Sequence, residues 1–125
     1  REVDECAGRI IDAARDVDAH VVVVSEYGLV PVNRPIAVNR LLRESGWLVV
    51  RDGPFGEMLL PGESDAFAVA DHQVAHVYVR QAKLVQQVRR QLESVPAIDR
   101  VVPPADLGLD HPRSGELIAL DKPDA

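Results

Sequence analysis

The stretch Ala19-His20-Val21-Val22-Val23-Val24-Ser25-Glu26-Tyr27-Gly28 decides how this chain reads. Four consecutive valines are stiff at χ1 and favour extended backbone, and a run without polar alternation suits a strand covered on both faces. Ahead of it, Val3, Cys6, Ala7, Ile10, Ile11, Ala14 and Val17 recur at three- and four-residue steps with Asp, Glu and Arg opposite. That spacing predicts an amphipathic helix leading directly into the strand. A helix followed at once by a buried strand is the repeating step of α/β folds. The sequence therefore predicts an α/β fold with a mainly parallel sheet flanked by helices, residues 21–24 lying near its centre.

Working outward, Pro31, Asn33 and Pro35 mark a loop, after which residues 36–45 have helical spacing through Ile36, Leu41 and Leu42 and stop at Gly46. Residues 47–51 and 57–60 read as strands joined by Asp52-Gly53-Pro54-Phe55-Gly56, a short antiparallel hairpin. Two further strands are expected at 66–70 and 75–80, linked by Asp71-His72-Gln73. A helix over 82–94 turns Leu84, Val85, Val88 and Leu92 inward and ends before Pro96. Residues 98–102 and 116–120 are short strands separated by Pro103-Pro104 and a loop holding His111. No internal repeat or low-complexity segment interrupts this pattern.

The 125 residues are 46% hydrophobic and 27% charged, a balance that fits one domain and excludes disordered, collagenous and disulfide-scaffold classes. No apolar run approaches the eighteen or so residues of a membrane-spanning helix, so no membrane association is expected. With 14 basic and 20 acidic side chains, a net charge of −6, no basic block and five aromatics, nucleic acid is not an expected partner either. Cys6 is the only cysteine, which excludes an intramolecular disulfide and a thiolate-built zinc site and fits a cytoplasmic location. The chain opens at Arg1 and its only methionine is Met58. This gives the expectation of a single α/β domain over residues 1–125, cut from a longer protein.

Ligands of open α/β sheets bind beyond the carboxyl ends of the strands, which directs attention to Ser25-Glu26-Tyr27-Gly28. Glu26 offers a carboxylate for a divalent cation, and Tyr27 a hydroxyl for donation or ligation. The same four residues also suit a plain solvated turn. Asp71, His72 and His76 form D-H-x-x-x-H, with donors suited to zinc or manganese. On one strand the two histidines would stand about 13 Å apart, too far to share an ion, whereas a turn between them brings them together. His111 is a lone loop histidine. Arg113 with Ser114 offers a cradle for phosphate or, equally, a solvated charge.

Several of these stretches together resemble a known family. The strand end Ser25-Glu26-Tyr27-Gly28, followed by Val30-Pro31-Val32 and by Asn39-Arg40-Leu41-Leu42-Arg43-Glu44-Ser45-Gly46, resembles the segment around the metal-binding S-D-H-G-M strand end of type I phosphodiesterase/nucleotide pyrophosphatases of the alkaline phosphatase superfamily. Residues 64–79 and His111-Pro112-Arg113-Ser114-Gly115-Glu116-Leu117 resemble a divergent bacterial branch of it. The resemblance spans nearly the whole chain, as the C-terminal part of the catalytic domain.

This resemblance implies an alkaline-phosphatase-like fold and hydrolysis of phosphodiester or pyrophosphate bonds in a small phosphorylated substrate such as a nucleotide. Two divalent metal ions, usually zinc and alternatively manganese, would activate a Thr or Ser nucleophile. Glu26 falls where the family has an Asp ligand and Tyr27 where it has a His; a phenol of pKa about 10 is a poorer ligand than imidazole. His72, His76 and His111 are the further candidate metal ligands and Arg113 the candidate phosphate contact. The nucleophile and the other ligands would come from the remainder of the parent catalytic domain. The alternative is a catalytically lapsed domain that keeps the fold and a phosphate-sized pocket.

Overall fold

The computed structural model describes residues 1–125. Helix α1 (Glu2–Asp16) is followed by α2 (Val38–Glu44), the hairpin strands β1 (Val50–Gly53) and β2 (Gly56–Leu59), and the strands β3 (Ala66–Asp71) and β4 (Val74–Val79). Helix α3 (Ala82–Glu93), β5 (Ile98–Val102), a short 3-10 turn at Pro104–Leu107 and β6 (Leu117–Asp121) complete the chain. The expected hairpin is present, with Val50 opposite Leu59 and Gly53 opposite Gly56 across the Pro54-Phe55 turn.

The main sheet has the order β3-β4-β6-β5, and every neighbouring pair in it is antiparallel. This corrects the mainly parallel, alkaline-phosphatase-like sheet that the sequence predicted. The reason lies in where the last strand goes. Strands β4 and β5 are both antiparallel to β6 and so run in the same direction, joined by the α3 crossover as in a parallel unit. Strand β6 then inserts between them and converts one parallel contact into two antiparallel ones. Strand–helix–strand succession shows the crossover but not a later strand lodged in its gap.

The core lies between this sheet and the two later helices. In β4, alternation sends Ala75, Val77 and Val79 inward, and Leu117 and Ala119 of β6 face the same side. Val88 and Leu92 of α3 and Leu42 of α2 close over them without exposure. Fully burying aliphatic side chains of this size contributes about 1.5 to 3 kcal/mol each relative to leaving them in water. Ile118, on the opposite face of β6, is equally buried but stands apart from this cluster. Helix α2 is tied to the sheet edge by Asn39, whose amide donates to the Ala68 carbonyl at 2.9 Å and accepts from the Ala68 N–H at 2.7 Å. The side chain thus satisfies the outer rim of β3 as a neighbouring strand would.

Residues 1–32 depart most from expectation. Helix α1 forms where predicted but buries none of its residues. The valine run makes no strand: Val22 and Val23 are 82% and 81% exposed, and residues 20–32 take part in no backbone–backbone hydrogen bond. The four valines have the composition of a doubly covered strand, yet no segment of residues 33–125 covers either face. No helix is long and apolar enough to cross a membrane.

Candidate functional site

The β3–β4 connection is the pivot of the site. Asp71 pairs with Val74, so the strand reverses over His72 and Gln73 alone. His72 takes φ +54°, a left-handed conformation uncommon outside glycine. The His72 Nδ1 lies 2.6 Å from the Asp71 carboxylate, which holds the proton on Nδ1 and leaves Nε2 with a free lone pair. Tyr27 stacks on the same ring, with centroids 5.2 Å apart and planes 30° off parallel. Glu26 is the exposed neighbour of Tyr27, and the hydroxyl of Ser25 donates to the Tyr27 carbonyl at 2.5 Å.

A groove of about 620 Å³ opens beside this stack, between the chain around residues 27–38 and the helix-facing side of the sheet. Ala70 and Ala75 form part of its floor, and their small side chains leave the space open. Asn33 and Arg34 form part of the opposite wall, where the Asn33 N–H donates to the Asp124 carbonyl and the Arg34 guanidinium reaches the Asp124 carboxylate at 2.8 Å. That guanidinium holds the Asp124 carboxyl below its ordinary pKa, while burial pushes Asp121, at the end of β6, upward. Sequence reasoning passed over Asp121, Asn33 and Gln73, because strand-end and loop polar residues carry no spacing signal.

The other candidate residues gather at a second place, the turn over residues 111–115. His76, on β4 opposite Val69, donates from Nδ1 to the Ser114 carbonyl at 2.8 Å, so its Nε2 also keeps a lone pair. His111 does the reverse: its Nδ1 accepts the Arg113 N–H at 3.2 Å, which places the ring proton on Nε2 and blocks ligation there in that tautomer. The Tyr78 hydroxyl donates to the Arg113 carbonyl at 2.9 Å, and the Arg113 guanidinium is exposed and forms no ion pair. Tyr27 and His72 are therefore brought together by stacking, whereas His76, His111 and Arg113 are related only through hydrogen bonds to the backbone of the 111–115 turn. No three His, Cys, Asp or Glu side chains converge to hold a metal ion. The donors in these 125 residues do not by themselves make a metal cage.

Comparison with known proteins places these features in a family. The family model described as "Type I phosphodiesterase / nucleotide pyrophosphatase" matches residues 1–125. No curated protein and no solved structure matches the chain. A match over all 125 residues, including both clusters, shows that the chain belongs to the type I phosphodiesterase/nucleotide pyrophosphatase family.

Proposed function

We propose that this chain is part of a metal-dependent hydrolase that cleaves phosphodiester or pyrophosphate bonds in small phosphorylated substrates such as nucleotides, and that residues 1–125 are a portion of its larger catalytic domain. The family match over residues 1–125 carries this reading. The stacked Tyr27 and His72, with Glu26 beside them, are the group offered to a divalent ion, zinc or manganese, and His76 is a further imidazole with Nε2 unoccupied. Donors from outside these residues are needed to close such a site, so no chemical step is assigned to the metal. Arg113 is the proposed phosphate contact, its guanidinium being open to solvent and unpaired.

The experiment is element analysis beside hydrolysis of a nitrophenyl phosphodiester, comparing the wild-type enzyme with Glu26→Gln, which removes an anionic donor while keeping the shape. Metal stoichiometry and rate are expected to fall together. Unchanged stoichiometry sinks the ligand role of Glu26. A second reading, a catalytically lapsed phosphate-binding domain, rests on the resemblance, in which Tyr27 falls where the family carries a histidine. Phosphate binding without turnover in the wild type, and no gain of metal affinity in Tyr27→His, supports that reading instead.

A further inference from the structure

The groove between residues 27–38 and the sheet combines two features that the hydrolase reading leaves unused. Its outer wall is aliphatic and wet: Leu29, Val30 and Val32 line it while remaining 89%, 55% and 56% exposed. Scattered exposed aliphatics are ordinary, but three along one wall of a concave surface present a strip that gains by being covered. The second feature is charge. Beside His72, the groove is lined by one basic and one acidic side chain, Arg34 and Asp121. Arg34 is committed to Asp124 at 2.8 Å. The Asp121 carboxylate forms no side-chain hydrogen bond and no ion pair, although its backbone N–H is satisfied by the Gln73 carbonyl.

We propose that this groove binds an amphipathic organic cation of the alkylammonium class, with its hydrocarbon along Leu29, Val30 and Val32 and its ammonium group at Asp121. A partly desolvated carboxylate without a partner is stabilised by a cation that brings little hydration of its own, and a substituted ammonium meets that description. An alkyl anion of the same length would cover the same aliphatic strip but would set like charges together at Asp121. The upward displacement of the Asp121 pKa by burial agrees with a carboxylate short of solvent. Binding is measured without turnover, so this inference stands or falls separately from the hydrolase reading.

The test titrates the 125-residue chain with decyltrimethylammonium and with decyl sulfate, both below micelle formation, following backbone amide shifts. The expected result is binding of the ammonium with shifts confined to the neighbourhood of Val30, Ala70, Ala75 and Asp121. Decyl sulfate is expected to bind at least about tenfold more weakly. Asp121→Asn is expected to remove that preference while leaving the circular dichroism unchanged. Equal or stronger binding of the sulfate, shifts centred on the exposed stripe of α1, or an undiminished preference in Asp121→Asn would each overturn the proposal. The comparison of the two probes on the wild type decides it even where the variant misfolds.

Discussion

An ideal Cβ on Gly115 lies 2.7 Å from the Val77 carbonyl oxygen, and the residue has φ +75°. Close approach and left-handed backbone coincide there because the 111–115 turn must lie flat on β4 for His76 and Tyr78 to reach its carbonyls. Gly46 has nearly the same φ, +78°, with nothing within 4 Å. Gly46→Ala is therefore expected to cost about 1 kcal/mol of backbone strain, and Gly115→Ala about 3 kcal/mol because the contact adds to the strain. Urea denaturation of the two variants separates the contributions, and equal costs would show that the turn yields easily. The acidic residues give a pH signature of mixed sign. The Arg43 guanidinium lowers the Glu57 carboxyl by hydrogen bonding to it, so that contribution is present above the carboxylate range and is lost as pH falls through the lowered pKa. Asp121 is raised by burial, so the folded state holds its proton more tightly and the ionised group opposes folding once pH exceeds the carboxylate range. Asp121→Asn should raise the urea midpoint at neutral pH, Glu57→Gln should lower it, and both differences should vanish in strong acid.

Among the elements, α1 and α3 make a controlled comparison, because both carry a clean apolar stripe at helical spacing. In α3 the stripe is core: Val88 and Leu92 are wholly buried against the sheet. In α1 the same kind of stripe faces water, with Ile10 72% exposed. Leu92→Ala is expected to cost about 2 to 5 kcal/mol as a cavity-forming change. Ile10→Ala should stay within about 0.5 kcal/mol in the same 125 residues, as for other exposed positions. Thermal or urea unfolding of the pair checks this, and a large loss at Ile10 would mean that α1 packs on the body in solution. Periodicity thus reports which face of a segment is fit to be covered, and is silent on what covers it. This is why the helices and strands of residues 36–121 were readable one by one from sequence, with β5 recovered in full but their antiparallel order missed, while α1 and the valine run were found as apolar segments but placed wrongly. The site divides in the same way. His72 and Tyr27 were visible as chemistry, but their stacking depends on a left-handed turn at a histidine that no local pattern announces. Asp121 was invisible because its importance comes from Gln73 and the chain around residues 27–38, far from it in sequence.

For the molecule as a whole, β6 is the element on which the sheet depends, since it is the only strand bonded to both the β3–β4 hairpin and β5. Its five residues carry Leu117, Ile118 and Ala119, all buried, and they fill both faces of the sheet at once. Removing residues 117–121 would leave β4 and β5 separated by the width of a missing strand and would strip the core of its middle row. The expected outcome is loss of cooperative unfolding by circular dichroism; a truncated chain that still melts in a single sharp transition would show that α3 alone can hold the halves together. The same insertion also sets the order of events when the chain is made. Ribosomal synthesis delivers the hairpin, the crossover helix and β5 first, and these must wait with two open strand edges until the polypeptide has emerged beyond Asp121. Folding of this sheet is therefore tied to the end of β6 rather than progressing with elongation. Nascent chains arrested before residue 117 should remain protease-sensitive and chaperone-bound, and those extended well past residue 121 should become resistant in one step.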